Sequence, residues 1–394
     1  MTLILDRRDE LHGAPGIHAF ICGVSFYHHI PGGDGAPAKK PFGLKQLSST
    51  ATTGWLFHQW LLDAQKNDRL PLELATVHLL LSPSQAERDA IPEMGAVDPA
   101  SRENFVAAAN EWRDFASNAD GMTIFYFAGH GVQRRQNDSV LLLDDFGKPP
   151  GGSLTYTVDV ANLFDGMAPP ADAARKVALK QLYFIDACRM PDKEFKKNDW
   201  MNVPDLWDVD LNSKDDRSAP VFYAAIPGTS AFAVPGGQTL FSFAIKSCLD
   251  RVAAIPSDDA DPRWRVTTTS VISALDGALN AVNKNHQGEQ KCLPVSYGKD
   301  MILTYLTDPP AVDCVVSVEP DLAANVCEFK LTTGAGKKAY EVAHIVPHPH
   351  PFQVPGGFYN YAVVPADPQY KPAQDGTILR PRLPELELKV KVST

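Results

Sequence analysis

Two residues of this chain combine a reactive side chain with surroundings that suit chemistry. Cys188 stands near the end of Lys180-Gln181-Leu182-Tyr183-Phe184-Ile185-Asp186-Ala187-Cys188-Arg189-Met190, where the apolar run Leu182 to Ile185 reads as a buried strand. His130 follows a second such run, Met122-Thr123-Ile124-Phe125-Tyr126-Phe127, and is bracketed by Gly129 and Gly131. Both runs are too short for a typical helix. Glycines on each side of a histidine suit a backbone that turns tightly or is approached closely by a ligand. A thiol is mostly protonated at neutral pH and becomes a nucleophile when a base takes its proton, so a paired cysteine and histidine make an acyl-transfer site. The same imidazole can then protonate a leaving amine. The competing reading of Cys188 is an inert core thiol, since cysteine is among the most buried residue types.

For the two side chains to meet, their strands must be neighbours in one parallel sheet. Residues just past the carboxyl ends of adjacent parallel strands share a rim, and that rim is where open α/β sheets bind ligands. The order of elements supports this arrangement. Ile17 to Ser25 reads as a first buried strand, followed by a Gly/Pro-rich loop from Pro31 to Pro41. Leu44, Leu47, Ala51, Trp55, Leu56, Trp60 and Leu61 then recur at steps that predict an amphipathic helix. A strand over Leu74 to Leu81 and a helix opening at Ser101 lead into the His130 strand. A helix over Val158 to Met167 precedes the Cys188 strand, and a strand over Ala219 to Ala225 follows it. Helices over Thr239 to Val252 and Thr269 to Val282 close the series. Strands alternating with helices give right-handed βαβ units and a parallel sheet.

Strand-Gly-His-Gly followed by strand-Asp-Ala-Cys resembles the core of the caspase-like clan of cysteine peptidases, which includes caspases, metacaspases, clostripain and gingipain. The resemblance covers about residues 15 to 300, in the prokaryotic caspase-like type. The caspase signature is Gln-Ala-Cys-x-Gly with the histidine about 50 residues upstream, close to the spacing here. Two positions depart: Asp186 replaces the glutamine, as in metacaspase-like branches, and Met190 replaces the last glycine. The resemblance implies an α/β fold, a mainly parallel sheet flanked by helices, with Leu141 to Asp145 in a short hairpin after the histidine loop. It makes Cys188 the nucleophile, His130 its acid-base partner, and the backbone N–H groups of Gly131 and Cys188 the oxyanion hole. It assigns no third side chain to orient the histidine.

In metacaspase-like relatives the acid two residues before the cysteine lines the pocket for the residue preceding the cut. Asp186 holds that position and favours Arg or Lys. The family's usual second acid, near the start of the first helix, is absent from Ser48-Ser49-Thr50-Ala51-Thr52-Thr53, which leaves a neutral preference open. A structural role for Asp186, accepting from loop amides, is open as well. The connection from Arg189 to Ala219 is long, charged and without apolar period, so it reads as a functional loop or as a solvated insertion. Activation cleavage falls there in the family, which makes Lys193, Lys196, Lys197, Lys214 and Arg217 the candidate sites.

Beyond Pro309-Pro310 the texture changes to short apolar runs separated by turns, and Leu386 to Val392 alternates as a half-exposed strand does. We therefore expect a peptidase-like domain over 1–304 and a small all-β sandwich over 305–394, in keeping with a 394-residue length. His344, His348 and His350 lie among prolines and read as a His-Pro loop rather than a metal site. The acidic stretches near Asp205 to Asp216 and Asp258 to Asp261 lack the spacing of a calcium loop, and six cysteines without a CxxC pair indicate neither zinc nor a disulfide framework. No metal or cofactor is expected. A net charge of −10 argues against nucleic acid or an anionic membrane as partner. With no apolar run of about 18 residues and no leader-like start, the expected location is the cytosol. Expected partners are protein substrates and an upstream activating protease or regulatory protein, in a signalling, cell-death or defence cascade. A catalytically silent protein-binding scaffold is the alternative.

Overall fold

The computed structural model describes residues 2–133, 139–150, 152, 154–172, 176–189, 203–209, 214–256, 263–383 and 385–393. By contact the chain forms two units that interleave in sequence: Met1–Ala244 with Val282–Met301, and Ile245–Ala281 with Ile302–Thr394. From the change of texture along the sequence we propose a peptidase-like domain over 1–304 and a small all-β sandwich domain over 305–394.

The first unit is built on a seven-stranded sheet. Its strands are β1 (Leu3–Asp6), β2 (Ile17–Val24), β3 (Leu74–Ser82), β4 (Met122–Gly129), β5 (Lys180–Ala187), β6 (Val221–Tyr223) and β7 (Leu293–Val295), in the order β1-β3-β2-β4-β5-β6-β7. The five central strands run parallel, and the edge strands β1 and β7 are antiparallel to their neighbours. Every residue of β2, β3 and β4 is buried, as continuous apolar strands covered on both faces must be.

One face carries helix α1 (Thr50–Lys66), whose Phe57 stacks on Tyr126 at 4.3 Å and meets Phe184 edge-on. The other face carries α2 (Arg102–Phe115), whose Phe105 and Trp112 pack on Phe20 and Phe125. Phe125 and Tyr126 thus point to opposite sides, as the period of two in a strand requires. The Ser101 hydroxyl caps α2 by accepting the Asn104 N–H at 3.3 Å. Helix α3 (Val160–Gly166) also belongs to this unit, while α4 (Leu240–Ser247) runs across the division at Ala244 and α5 (Thr268–His286) lies mainly in the second unit.

In the first unit two details differ from the sequence reading. A strand, β1, precedes Ile17, where the sequence reading places its first strand, and the helix expected from Leu44 begins only at Thr50. Leu44 and Leu47 have helical spacing but belong to the preceding loop, where they pack as partly buried residues against the core.

The second unit contains the expected β-sandwich. Three strands, β8 (Ala311–Glu319), β11 (His350–Pro355) and β14 (Leu386–Lys391), form one sheet in the order β11-β8-β14. Four strands, β9 (Cys327–Thr333), β10 (Lys338–Val342), β12 (Gly357–Pro365) and β13 (Ala373–Leu379), form the other in the order β10-β9-β12-β13. Val316, Phe329, Leu331, Phe352 and Val363 belong to the buried core of this unit. β11 occupies part of what read as a His-Pro loop: His350 Nε2 lies 2.8 Å from the Tyr340 hydroxyl, and His348 Nε2 accepts the Val318 N–H at 3.0 Å. Among the described residues no helix is long and apolar enough to cross a membrane, and no cluster of three or more His, Cys, Asp or Glu is arranged to hold a metal ion.

The end of the connection between β5 and β6 is pinned by Arg217. Its guanidinium, with the side chain 1% exposed, pairs with both oxygens of Asp215 and donates to the carbonyl oxygen of Phe164 at 2.8 Å and to Gln181 Oε1 at 3.0 Å. It also stacks over the Phe164 ring. Removing one partner of a buried pair strands the groups left behind. Arg217→Met is therefore expected to lower stability by about 2–4 kcal/mol, read from the midpoint of chemical denaturation. An unchanged midpoint would show that this pair does not hold the segment.

Candidate active site

β4 and β5 are hydrogen-bonded neighbours, paired in register from Met122↔Lys180 to Gly129↔Ala187. His130 and Cys188 are the next residues on the two strands, so both stand at the same carboxyl rim. The two loops touch there. A Cβ built on Gly131 would lie 2.6 Å from the carbonyl oxygen of Cys188 and 2.8 Å from Ala187 Cβ, so only glycine fits without a shift of backbone.

The His130 residue is held by groups from the loop before α1 and from the segment just past the end of β2. Its Nε2 lies 2.7 Å from the carbonyl oxygen of Lys45. A carbonyl only accepts, so Nε2 carries the hydrogen, and Nδ1 of the neutral ring is left as the base. The His130 N–H donates to the Tyr27 hydroxyl at 2.7 Å, and the two rings lie 5.0 Å apart. Burial pulls the imidazole below its usual range, against a smaller upward effect of the Lys45 carbonyl.

Cys188 is half-buried. Its Sγ accepts the Ala231 N–H at 3.2 Å and lies 3.8 Å from the Ala231 carbonyl oxygen. The covering segment is tied alongside: Arg189 N–H donates to Thr229 at 3.0 Å, and Gly228 N–H donates back to Arg189 at 2.9 Å. Burial pushes the thiol up, against the Ala231 N–H, which pulls it down. With the thiol raised and the imidazole lowered, both groups rest uncharged at neutral pH.

Asp186 is 1% exposed. Its Oδ2 accepts the hydroxyls of Tyr126, at 3.0 Å, and Thr239, while Oδ1 is buried without a hydrogen bond. Burial pushes this carboxyl up to about 7, against those two hydroxyls. Its acceptor role is thus filled by hydroxyls rather than by loop amides. Hydroxyls also stand in the stretch without the expected second acid: Thr53 Oγ1 accepts the Thr239 N–H at 3.0 Å, and Ser49 Oγ donates to the Val234 carbonyl at 2.8 Å.

Of the sequence-predicted residues, the structure brings Cys188, His130 and Gly131 to one rim and leaves Asp186 buried near the end of the same strand, two residues before the thiol. Lys193, Lys196 and Lys197 lie outside the described residues. Lys214 has an 87% exposed side chain, whereas the Arg217 side chain is buried in its ion pair. Lys45 and Tyr27 are not among the residues expected from the sequence. Nothing in a sequence marks a backbone carbonyl, but an aromatic with a polar tip just past the end of a neighbouring parallel strand was a readable signal.

The sequence matches the caspase domain family over residues 96–298. No curated protein matches it. Solved structures similar to it include a protein from Geobacter sulfurreducens, at 12% identity and a TM-score of 0.40, covering 72% of this chain and 94% of that one. Another is caspase-1 from Spodoptera frugiperda, at 14% identity and a TM-score of 0.38, covering 73% of this chain and 90% of that one.

The buried Asp186 carboxyl generates a pH-dependent test. Its folded pKa of about 7 stands above an unfolded value of about 3.9. The folded state therefore holds this proton more tightly, and stability is lost as pH rises through that window. Asp186→Asn is expected to be the more stable protein at pH 8, by at most roughly 4 kcal/mol, with the advantage gone by about pH 4. Denaturation midpoints at the two pH values measure this; a difference independent of pH would refute the ionisation argument.

Proposed function

This chain belongs to the caspase domain family of cysteine peptidases, and from that premise we propose that it is an endopeptidase cutting proteins after Arg or Lys. The observation that carries the reading is the in-register pairing of β4 and β5, which ends with Gly131 against Cys188. In the proposed mechanism the Cys188 proton passes to Nδ1 of His130, since Nε2–H is engaged by Lys45, and Sγ attacks the scissile carbonyl carbon. The resulting oxyanion takes the N–H groups of Gly131 and Cys188. The imidazolium then returns the proton to the leaving amine, and water hydrolyses the thioester.

A basic side chain suits Asp186 because its buried Oδ1 has no hydrogen-bond partner of its own. A guanidinium or ammonium placed there would supply one and hold the carboxylate ionised. Access requires the segment carrying Ala231 and Thr239 to move, since these residues cover the thiol and the carboxyl. That covering supports a latent resting form, released by cleavage between Arg189 and Ala219 or by a regulatory protein. Such a peptidase fits a signalling, cell-death or defence cascade in the cytosol. The catalytically silent scaffold has the same observation on its side: a thiol already occupied by a backbone group.

Cleavage of a mixed fluorogenic peptide library separates these readings. The native protein is expected to cut after Arg or Lys, more strongly once nicked between Arg189 and Ala219, and Cys188→Ala is expected to cut nothing. Cuts after neutral residues would reject the role given to Asp186. Alkylation of Cys188 by iodoacetamide checks the neutral resting pair independently. Its rate should climb about tenfold per pH unit through neutrality, as for a thiol of raised pKa. A rate flat from pH 6 upward would mean a preformed thiolate, and no alkylation at any pH or after nicking would favour the scaffold.

A further inference from the structure

Tyr27 and Gln46 both stand ahead of the stretch that matches the family, and together they hold His130. The Gln46 side chain exchanges two hydrogen bonds with the Tyr27 backbone: Oε1 accepts the Tyr27 N–H and Nε2 donates to the Tyr27 carbonyl, each at 2.8 Å. This is the exchange that two paired strand residues make, supplied here by one amide. The Leu47 N–H adds a bond to the Ser25 carbonyl at 2.9 Å. Residues 45–47 are thereby laid along 25–27, and the Lys45 carbonyl arrives 2.7 Å from Nε2 of His130.

Tyr27 closes the circuit. It is fully buried, its hydroxyl accepts the His130 N–H, and its ring packs on the imidazole. Gln46 thus binds Tyr27, Tyr27 binds the His130 backbone, and His130 binds the carbonyl of the residue before Gln46. The exposed Lys45 side chain takes no part in the circuit, which uses only its carbonyl.

We infer that Gln46 and Tyr27 are positioning residues for the acid-base histidine: they fix the direction of its ring and keep the hydrogen on Nε2, so that Nδ1 is the base. The inference rests on the peptidase reading for its catalytic consequence but not for its geometry. Displacement of a catalytic group by about 1 Å costs up to about a hundredfold in rate. A clamp of neutral hydrogen bonds can therefore matter to turnover well beyond its effect on stability.

The test uses the full chain with nitrogen-15 in its histidine rings, the His130 signals being assigned by their loss in His130→Asn. In the native protein His130 is expected to show the Nε2–H tautomer with slow hydrogen exchange. Tyr27→Phe keeps the ring and removes the acceptor of the His130 N–H; Gln46→Met keeps the length and removes both bonds to Tyr27. Each is expected to give mixed tautomer signals and faster exchange, with kcat reduced about ten- to a hundredfold and KM little changed. Gln46→Glu retains the acceptor for the Tyr27 N–H and should fall between. Native-like ring signals in folded Tyr27→Phe and Gln46→Met would overturn the inference, leaving both residues a purely structural part. Inactivity of the native protein on every peptide would sink the peptidase reading alone, because the ring signals report the clamp without turnover.

Discussion

The register between β4 and β5 is the constraint on which the candidate site depends. Eight residue pairs, from Met122↔Lys180 to Gly129↔Ala187, bring two strands to an end together, and the next residue on each is a member of the candidate pair, His130 on one and Cys188 on the other. A slip by one residue would turn every side chain of a strand to the opposite face. Such a slip is blocked here because the aromatics are committed on both sides: Tyr126 and Phe184 to α1, Phe125 and Tyr183 to the layer of α2. The packing of the core and the placement of His130 and Cys188 are thus one requirement.

Placing a thiol and an imidazole at a largely covered rim has an electrostatic consequence. Burial disfavours the charged form of each, raising the thiol and lowering the imidazole, so the resting pair is neutral. A nucleophile of this kind acquires its charge during attack, when the proton moves to a base already aimed at it. The direction of the imidazole then matters more than its average charge. The Lys45 carbonyl supplies that direction at the cost of a loop held by hydrogen bonds rather than by a helix. Asp186 follows the same logic: a carboxyl with a buried oxygen and a pKa near 7 is poised to respond to an incoming cation, and its two hydroxyl donors are too weak to fix it in the ionised state.

Much of this was legible in the sequence because it depends on continuous apolar runs. The strands ending before His130 and Cys188 and the helices over both faces leave strong periodic signals. What was not legible depends on groups without a periodic signature. Leu44 and Leu47 have helical spacing by coincidence, since a loop that packs against the core also needs apolar residues, and a helix starting at Leu44 would engage the Lys45 carbonyl in its own ladder rather than leave it for His130. β11 was hidden because prolines around His350 suggest a loop, whereas this strand lies at the edge of its sheet, where proline is tolerated. The burial of Arg217 could not be read either: its partner Asp215 lies two residues away, which on a sequence looks like an ordinary exposed charge pair.

The connection between β5 and β6 shows how a cut could alter the site without dissolving the sheet. Its described parts are anchored. Asn162 accepts the N–H groups of Leu206 and Trp207, and the Trp207 indole donates to Asn110 at 2.7 Å. Gly166 leaves room for that indole, which a Cβ there would approach to 2.2 Å. Arg217 anchors the other end through Asp215, Phe164 and Gln181. Lys214, exposed between the two anchors, is the candidate whose side chain a protease could reach without first breaking either. Because β5 and β6 are joined by their own pairing from Tyr183↔Val221 to Ile185↔Tyr223, the strand that carries Cys188 does not depend on chain continuity across the connection. A cut at Lys214 would leave both anchors and the sheet standing, so its effect on activity would have to pass through the segment over the thiol rather than through the core.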